Sequence, residues 1–515
     1  ARVIAWLRND LRLSDNPVLH HAAKARTCLP VVCLDPREFR PNLALHPQWS
    51  KLQISKCGSH RARFKLESVF ALQRSLRAIG SDLLVRVGLP EEVLPGLVGN
   101  DHLVFASEVG TEEISTQEAV KKAVDAGGGS VTEVWGSQTL FDPVALPFAP
   151  SAVPEPFTAF RNAVENRKAP ISVPEPLEVP TLPPCPTTEY EADVADVEAA
   201  LTKLGVSLDA LPTNSSVAAT LFAGGEQAAF ERLEAFVQHG LATYKQTRDS
   251  LTGEYFSSKL SPWLAVGCLS PRTVYHRIAK YEDEYGETVD TYWVGFELKW
   301  RDFFRLFAMK HGSSLYQLKG PAKRHVAWNR DESKFQRWCQ GQTGIPFVDA
   351  NMRELASTGF MSNRGRQNMA SYLTQDLQLD WRWGAIWFEH CLLDHDAASN
   401  YGNWACAAGV GMKGQRINKF NIAKQSQQYD KDAAYIKAWV PEVAELPAPI
   451  AMAPWKAAQP PPNYPAPLTQ PEFSAEARQF EKRRQNQEET VVTKSGYTME
   501  KKRWHYGRNG AFKAS

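Results

Sequence analysis

The chain has 515 residues, long enough for two or more domains with cores of their own. At 43% hydrophobic and 23% charged residues it reads as globular, which excludes a disordered or fibrous chain. A formal net charge of +2 excludes a global pull on nucleic acid, so any such contact needs a local basic surface.

The first 145 residues alternate apolar runs (RVIAWL, LPVVCL, DLLVRV, HLVFA) with helical patterns. In one of these, Phe64, Val69, Leu72 and Leu76 recur at roughly helical spacing. Strands alternating with helices predict an α/β domain built on a doubly wound parallel sheet over 1–145. Asn16 followed by Pro17 predicts a helix start behind the first strand. The loop LRNDLRLSDNP lacks the glycine-rich dinucleotide fingerprint, and Gly127 to Gly129 reads as a turn. Proline-rich sequence opens an interdomain linker over 146–215, and a helical pattern over 216–442 predicts an all-α domain. Residues 443–515, proline-rich and then basic, read as a disordered tail. The 8 cysteines form no CxxC pair, so neither a metal site nor a disulfide framework is expected, and a reducing compartment is. No apolar run reaches membrane-spanning length; a soluble, intracellular protein is expected, with the compartment open.

Three stretches of the helical region hold polar groups where a core is expected. In GFELKWRDFFRLFAMKHG, Phe296, Trp300, Phe303 and Phe307 form an apolar stripe, and Glu297 and Arg301, four apart, are spaced to pair. Glu297 and Trp300 would then form two walls of a pocket. In YKQTRDSLTGEYFSSKLSPW, Ser257, Ser258, Lys259 and Ser261 precede a helix start, a setting that suits phosphate. Between Gly359 and Trp404, the charged residues Arg364, Arg366, Asp394 and Asp396 sit among tryptophans, which implies pairing or a ligand.

Taken in order, SSKLSPWLAVGCLSP, FELKWRDFF, GIPFVDANMRELASTGFMSNRGRQN, DLQLDWRWG and DHDAASNYGNW resemble the flavin-binding domain of the photolyase/cryptochrome family, most of all its cryptochrome DASH branch. The similarity runs from WLRNDLRLSDNPVL to about WVPEV. It implies a U-shaped FAD in the helical domain and 5,10-methenyltetrahydrofolate as an antenna near the first domain. Tyr244, Ser257, Ser258, Leu260 and Ser261 match the family's phosphate and ribityl contacts. Asn363, Arg366, Asp394, Asp396 and Asn400 match the surroundings of the flavin ring, and Arg301 is a further cofactor-binding position. Trp404, Trp381 and Trp328 match the proximal, middle and distal members of an electron-hopping chain, with Trp404 also against the cofactor; Trp383 and Trp387 read as packing aromatics. Glu108 matches the carboxylate that binds the antenna's pterin.

For the substrate, Glu297, Trp300, Gln367 and Cys406 match the lining of a pocket for a pyrimidine dimer, and Arg364 a phosphate contact. Gln367 is usual for the DASH branch, whereas Cys406 stands where that branch generally carries tyrosine. The loss of a stacking ring predicts a preference for single-stranded or looped DNA, where the lesion is already unpaired. The resemblance thus implies a blue-light-driven lyase for cyclobutane pyrimidine dimers, monomeric and with no membrane contact. RNA is a further open partner, and the alternative is a signalling photoreceptor.

Overall fold

Strand β1 (Arg2–Leu7) lies at the centre of a sheet completed by β2 (Thr27–Leu34), β3 (Leu84–Val87), β4 (His102–Ala106) and β5 (Ser130–Val134). The order is β3-β2-β1-β4-β5 and every pairing is parallel, with Val3 opposite both Cys28 and His102. Alternation along β1 separates two cores. Ile4 and Trp6 pack with Leu94, Leu97, Val120 and Val124 from the helices Pro90–Val98 and Thr111–Ala126. Val3, Ala5 and Leu7 join a larger core shared with the helical region. Both faces are therefore covered, as a parallel sheet requires. Asn16 caps the first helix, Pro17–Ala22, by accepting from the Val18 and Leu19 N–H groups. Gly127 ends the helix Thr111–Ala126 in a turn.

This computed structural model describes residues 2–40, 54–166, 168–169, 171–206, 222–414, 417 and 419–469. Within the stretch read as a linker lie two helices, Phe157–Val164 and Val197–Leu204. Extended chain between them runs against the sheet domain, where the Asp15 N–H donates to the Leu177 carbonyl at 2.7 Å. Residues 207–221 lie outside the described ones.

The disorder expected from residue 443 gives way, up to 469, to packed chain. Tyr464 donates to Asp349 at 2.5 Å, the Leu468 N–H to the Thr343 carbonyl at 2.8 Å, and Ala451 is buried. Proline here opens a short helix, Ala448–Met452, and does not prevent burial. Residues 470–515, the remainder of that tail, lie outside the described residues.

A buried polar seam joins sheet and helices. Arg12 donates to the Gly267 carbonyl at 2.8 Å, and Asp302 accepts from the Leu140 and Phe141 N–H groups at 3.0 and 3.2 Å. At Gly267, with φ +74, a Cβ would overlap the Asn9 backbone, so only glycine allows this approach. Among the described residues no helix is long and apolar enough to cross a membrane.

Candidate functional site

Three helices and one loop bring the predicted residues together. The long helix Val289–His311 starts at a Thr288 capping box and carries Glu297, Trp300, Arg301 and Arg305. Asn363–Ser371, capped by Ser362, carries Asn363, Arg364, Arg366 and Gln367. Ala397–Ala407, capped by Asp396, carries Asn400, Trp404 and Cys406. The loop before Ser261–Val266 holds Ser257 and Lys259 at φ +58 and +54, a left-handed backbone that non-glycine residues adopt only under constraint.

Arg366 and Asp394 form the expected pair, bidentate at 2.9 and 2.8 Å. Ser261 donates to the same carboxylate at 2.6 Å, which ties the serine loop to this pair. Asp394 is 3% exposed at its side chain and Arg366 26%, so the carboxylate is the more deeply buried partner. Asn400 donates through Nδ2 to the Ala385 carbonyl at 2.9 Å, leaving its Oδ1 as an acceptor. Tyr244 and Leu260 are buried nearby in sequence, whereas Asn363 is exposed.

Lys259 is buried, its ammonium donating to the Gly253 carbonyl at 2.9 Å and lying 4.1 Å from the Phe256 ring centre. Among the described residues no carboxylate forms an ion pair with it. Burial, reinforced by Arg232, pulls its pKa down to about 8. A buried ammonium beside two serine hydroxyls and a left-handed backbone is a setting an anion relieves. A loop suited to phosphate, together with a paired guanidinium, an amide and an indole, fits the chemistry of a flavin dinucleotide.

Glu297 and Arg301 do not pair. Glu297 is bound by Arg248, while Arg301 donates to the backbone carbonyls of Gln138 and Leu264, the latter at 3.0 Å. The i,i+4 spacing permitted a bond that long-range partners supplant. Burial pushes the Glu297 pKa up, against the pull of Arg248. Arg248 also lies 3.9 Å from Asp249, which binds Arg364 at 2.9 Å, and Arg364 donates to Gln367 at 3.0 Å. A continuous polar chain thus runs from Glu297 to Gln367 across two helices. Trp300 is half-buried and stacks on Phe157 with ring centres 3.7 Å apart at 11°. Cys406 is half-buried, and its sulfur lies 3.0 Å from where a Cβ on Gly411 would stand.

The tryptophans are arranged in depth. Trp404 and Trp381 are buried, and Trp328 is half-buried. Gly384, three residues along the helix Trp381–Cys391, abuts the Trp404 ring so closely that a Cβ there would overlap it. A parallel bridge between Asn329 and Leu379 sets Trp328 beside the segment leading into Trp381. Trp383 packs edge-on against Phe335 at 5.3 Å, and Trp387 stacks on His390 at 5.3 Å.

Glu108, at the carboxyl end of β4, is buried and engaged. It accepts from Asn9 at 2.9 Å and from Gln138 at 3.3 Å, and its second oxygen pairs with Arg305 at 3.0 Å. Arg305 also binds Asp396 at 3.0 Å, so one guanidinium joins the sheet to the helix that carries Asn400 and Trp404. Burial pushes the Asp396 pKa up, but Arg305, Arg301 and the Ser399 N–H outweigh it and hold the group at about 2. Sequence reasoning named Lys259 beside the serines but missed Arg305, Arg248 and Asp249. For Arg305 a signal was present: it lies four residues past Arg301, within the apolar run FFRLFAM.

Comparison with known proteins agrees with this geometry. Residues 3–182 match the model for DNA photolyase, and residues 293–491 that for the FAD binding domain of DNA photolyase. Sheet and helical site together define a photolyase-like flavoprotein. A cryptochrome DASH of Natronomonas pharaonis is 43% identical over 459 residues, 88% of this chain and 93% of that one. The crystal structure of a Synechocystis sp. cryptochrome, 38% identical, superposes with a TM-score of 0.85 over 94% of this chain and 99% of that chain. An archaeal photolyase from Sulfolobus tokodaii, described with two FAD molecules, is 27% identical with a TM-score of 0.74 over 94% of this chain and 100% of that chain. The chain belongs to the photolyase/cryptochrome family, in its cryptochrome DASH branch.

Proposed function

We propose that the protein is a blue-light-driven lyase for cyclobutane pyrimidine dimers, acting by preference on single-stranded or looped DNA. The observation that carries this reading is the polar chain Glu297–Arg248–Asp249–Arg364–Gln367. It sets carboxylate, guanidinium and amide groups in one run, while the Arg366–Asp394 pair and Trp404 belong to the same helices or their neighbours.

Ser257, Ser258, Lys259 and Ser261 would hold the phosphates of FAD. Arg366, Asp394, Asp396, Asn363, Asn400 and Trp404 would surround its ring, with Tyr244, Leu260 and Arg301 behind them. Bound there, reduced FAD supplies one electron to the dimer on absorbing blue light and takes it back once the ring has opened. Glu297 hydrogen-bonds the dimer after release from Arg248. Trp300 meets the dimer with the part of its ring that Phe157 and Phe304 leave uncovered, and Arg248 and Arg364 are placed to contact phosphate. With Cys406 in place of a ring, the pocket forgoes roughly 1–3 kcal/mol of stacking per base. Extruding a paired lesion costs a few kcal/mol, which an unpaired substrate avoids.

Trp404, Trp381 and Trp328 return the flavin to its reduced state by relaying electrons from the surface. Glu108 would hold a methenyltetrahydrofolate antenna, which would supply excitation energy; because Glu108 is tied to Arg305, antenna binding there would share that carboxylate. The same relay supports a second reading, a photoreceptor, for which light-dependent protease sensitivity beyond residue 441 is the test.

Glu297→Ala tests the lyase. Loss of a charge-assisted hydrogen bond, about 1.5–3 kcal/mol, slows repair on the order of 10- to 100-fold. Flavin absorbance of the purified variant stays unchanged; if the flavin is lost, Glu297 belongs to the cofactor and not to the substrate.

A further inference from the structure

We propose that the electron relay branches at Trp381 to Tyr401, and that Glu389 takes the tyrosine's proton, making this pair a terminal radical site. The proposal rests on the relay reading above and extends it.

Tyr401 is buried on the helix Ala397–Ala407, one residue after Asn400 and three before Trp404. Its ring meets that of Trp381 edge-to-face, with centres 6.4 Å apart at 78°. Its hydroxyl donates to Glu389 Oε2 at 2.8 Å. The other Glu389 oxygen lies 3.8 Å from His395 Nε2, and burial pushes the Glu389 pKa up, against the pull of Lys56 and Arg61, which raises its affinity for a proton. A second phenol, Tyr316, packs on Tyr401 with ring centres 4.8 Å apart.

The tryptophans lack such a base. Trp381 Nε1 donates to the Leu318 carbonyl at 3.2 Å, and an amide oxygen cannot keep an indole proton. Trp328 Nε1 is buried without a hydrogen-bond partner among the described residues. An oxidised indole at either position therefore keeps its proton and stays ready to recombine. The phenol at 401, in contact with Trp381, sits on a carboxylate instead.

The step balances as follows. Light drives one electron from Trp404 to the flavin, and Trp381 refills Trp404, leaving Trp381 as an indole radical cation. Tyr401 gives one electron to Trp381 while its O–H bond breaks and the proton moves along the 2.8 Å hydrogen bond to Glu389. The products are a neutral indole, a neutral tyrosyl radical and a carboxylic acid. Charge return then requires the proton to move back, so the separated state persists.

Pulsed blue excitation of the full-length protein with oxidised FAD bound, read by transient absorption and electron paramagnetic resonance, tests this. The expected result is a tyrosyl signal that replaces the tryptophan radical in the native protein. Tyr401→Phe loses that signal and its charge-separated state decays at least several-fold faster. Glu389→Gln keeps a hydrogen-bond partner but no base, and loses most of the tyrosyl yield. Tryptophan radicals alone in the native protein, or an unchanged tyrosyl signal in Tyr401→Phe, overturn the branch and leave the relay standing. Absence of any flavin reduction overturns the relay and the branch together.

Discussion

Arg366 commits both terminal nitrogens to Asp394, and Ser261 adds a third hydrogen bond to that carboxylate. Arg366→Leu would leave a carboxylate 3% exposed with only a hydroxyl for company. Breaking a buried pair from one side costs about 3–5 kcal/mol, and partial exposure of Arg366 sets the expected loss near the lower end. The urea midpoint should fall accordingly and the purified variant should be colourless; native yellow protein would show that the pair does not hold the flavin. At this scale the sequence was readable where neighbouring charges demanded each other, as with Arg366 and Asp394. It misled at Glu297, since i,i+4 spacing offered Arg301 and nothing local announced Arg248, 49 positions earlier.

The helices Trp381–Cys391 and Ala397–Ala407 cross where Gly384 meets the Trp404 ring. A methyl group on Gly384 has to displace that ring or the helix, and overpacking of this kind costs roughly 1–3 kcal/mol. Gly384→Ala is therefore expected to lower stability by that amount and to slow flavin photoreduction, because hopping depends steeply on the gap between rings. Unaltered photoreduction kinetics would mean that Trp404 is not the entry point. Elements with local signals were legible: Asn16 and Pro17 announced a helix, and the apolar runs announced the strands of a parallel sheet. The segment up to residue 469 was not, because its order comes from distant partners, Tyr464 on Asp349 and Leu468 on Thr343, and not from periodicity.

Across the whole molecule, Arg305 is the bridge between the sheet and the flavin side, holding Glu108 and Asp396 at once. No sequence pattern could reveal this, since Glu108 lies 197 positions away. Arg305→Met leaves two buried carboxylates without their cation, an expected loss of about 3–5 kcal/mol at neutral pH. The native folded-state pKa of Asp396, about 2, is below its ordinary 3.8, so its stabilisation is complete above 3.8 and is lost as pH falls toward 2. The stability gap between native and variant proteins should thus narrow over that window in thermal denaturation. A gap that stays constant would place Arg305 outside the network.

The lyase reading is tested most directly with reduced, purified protein under blue light, given thymine dimers in matched single-stranded and duplex oligonucleotides beside dark controls. The account predicts light-dependent dimer loss confined mainly to the single strand. Comparable repair of the duplex would contradict the role given to Gln367 and Cys406, and no repair in either substrate, with flavin photoreduction intact, would contradict the lyase itself and favour the photoreceptor.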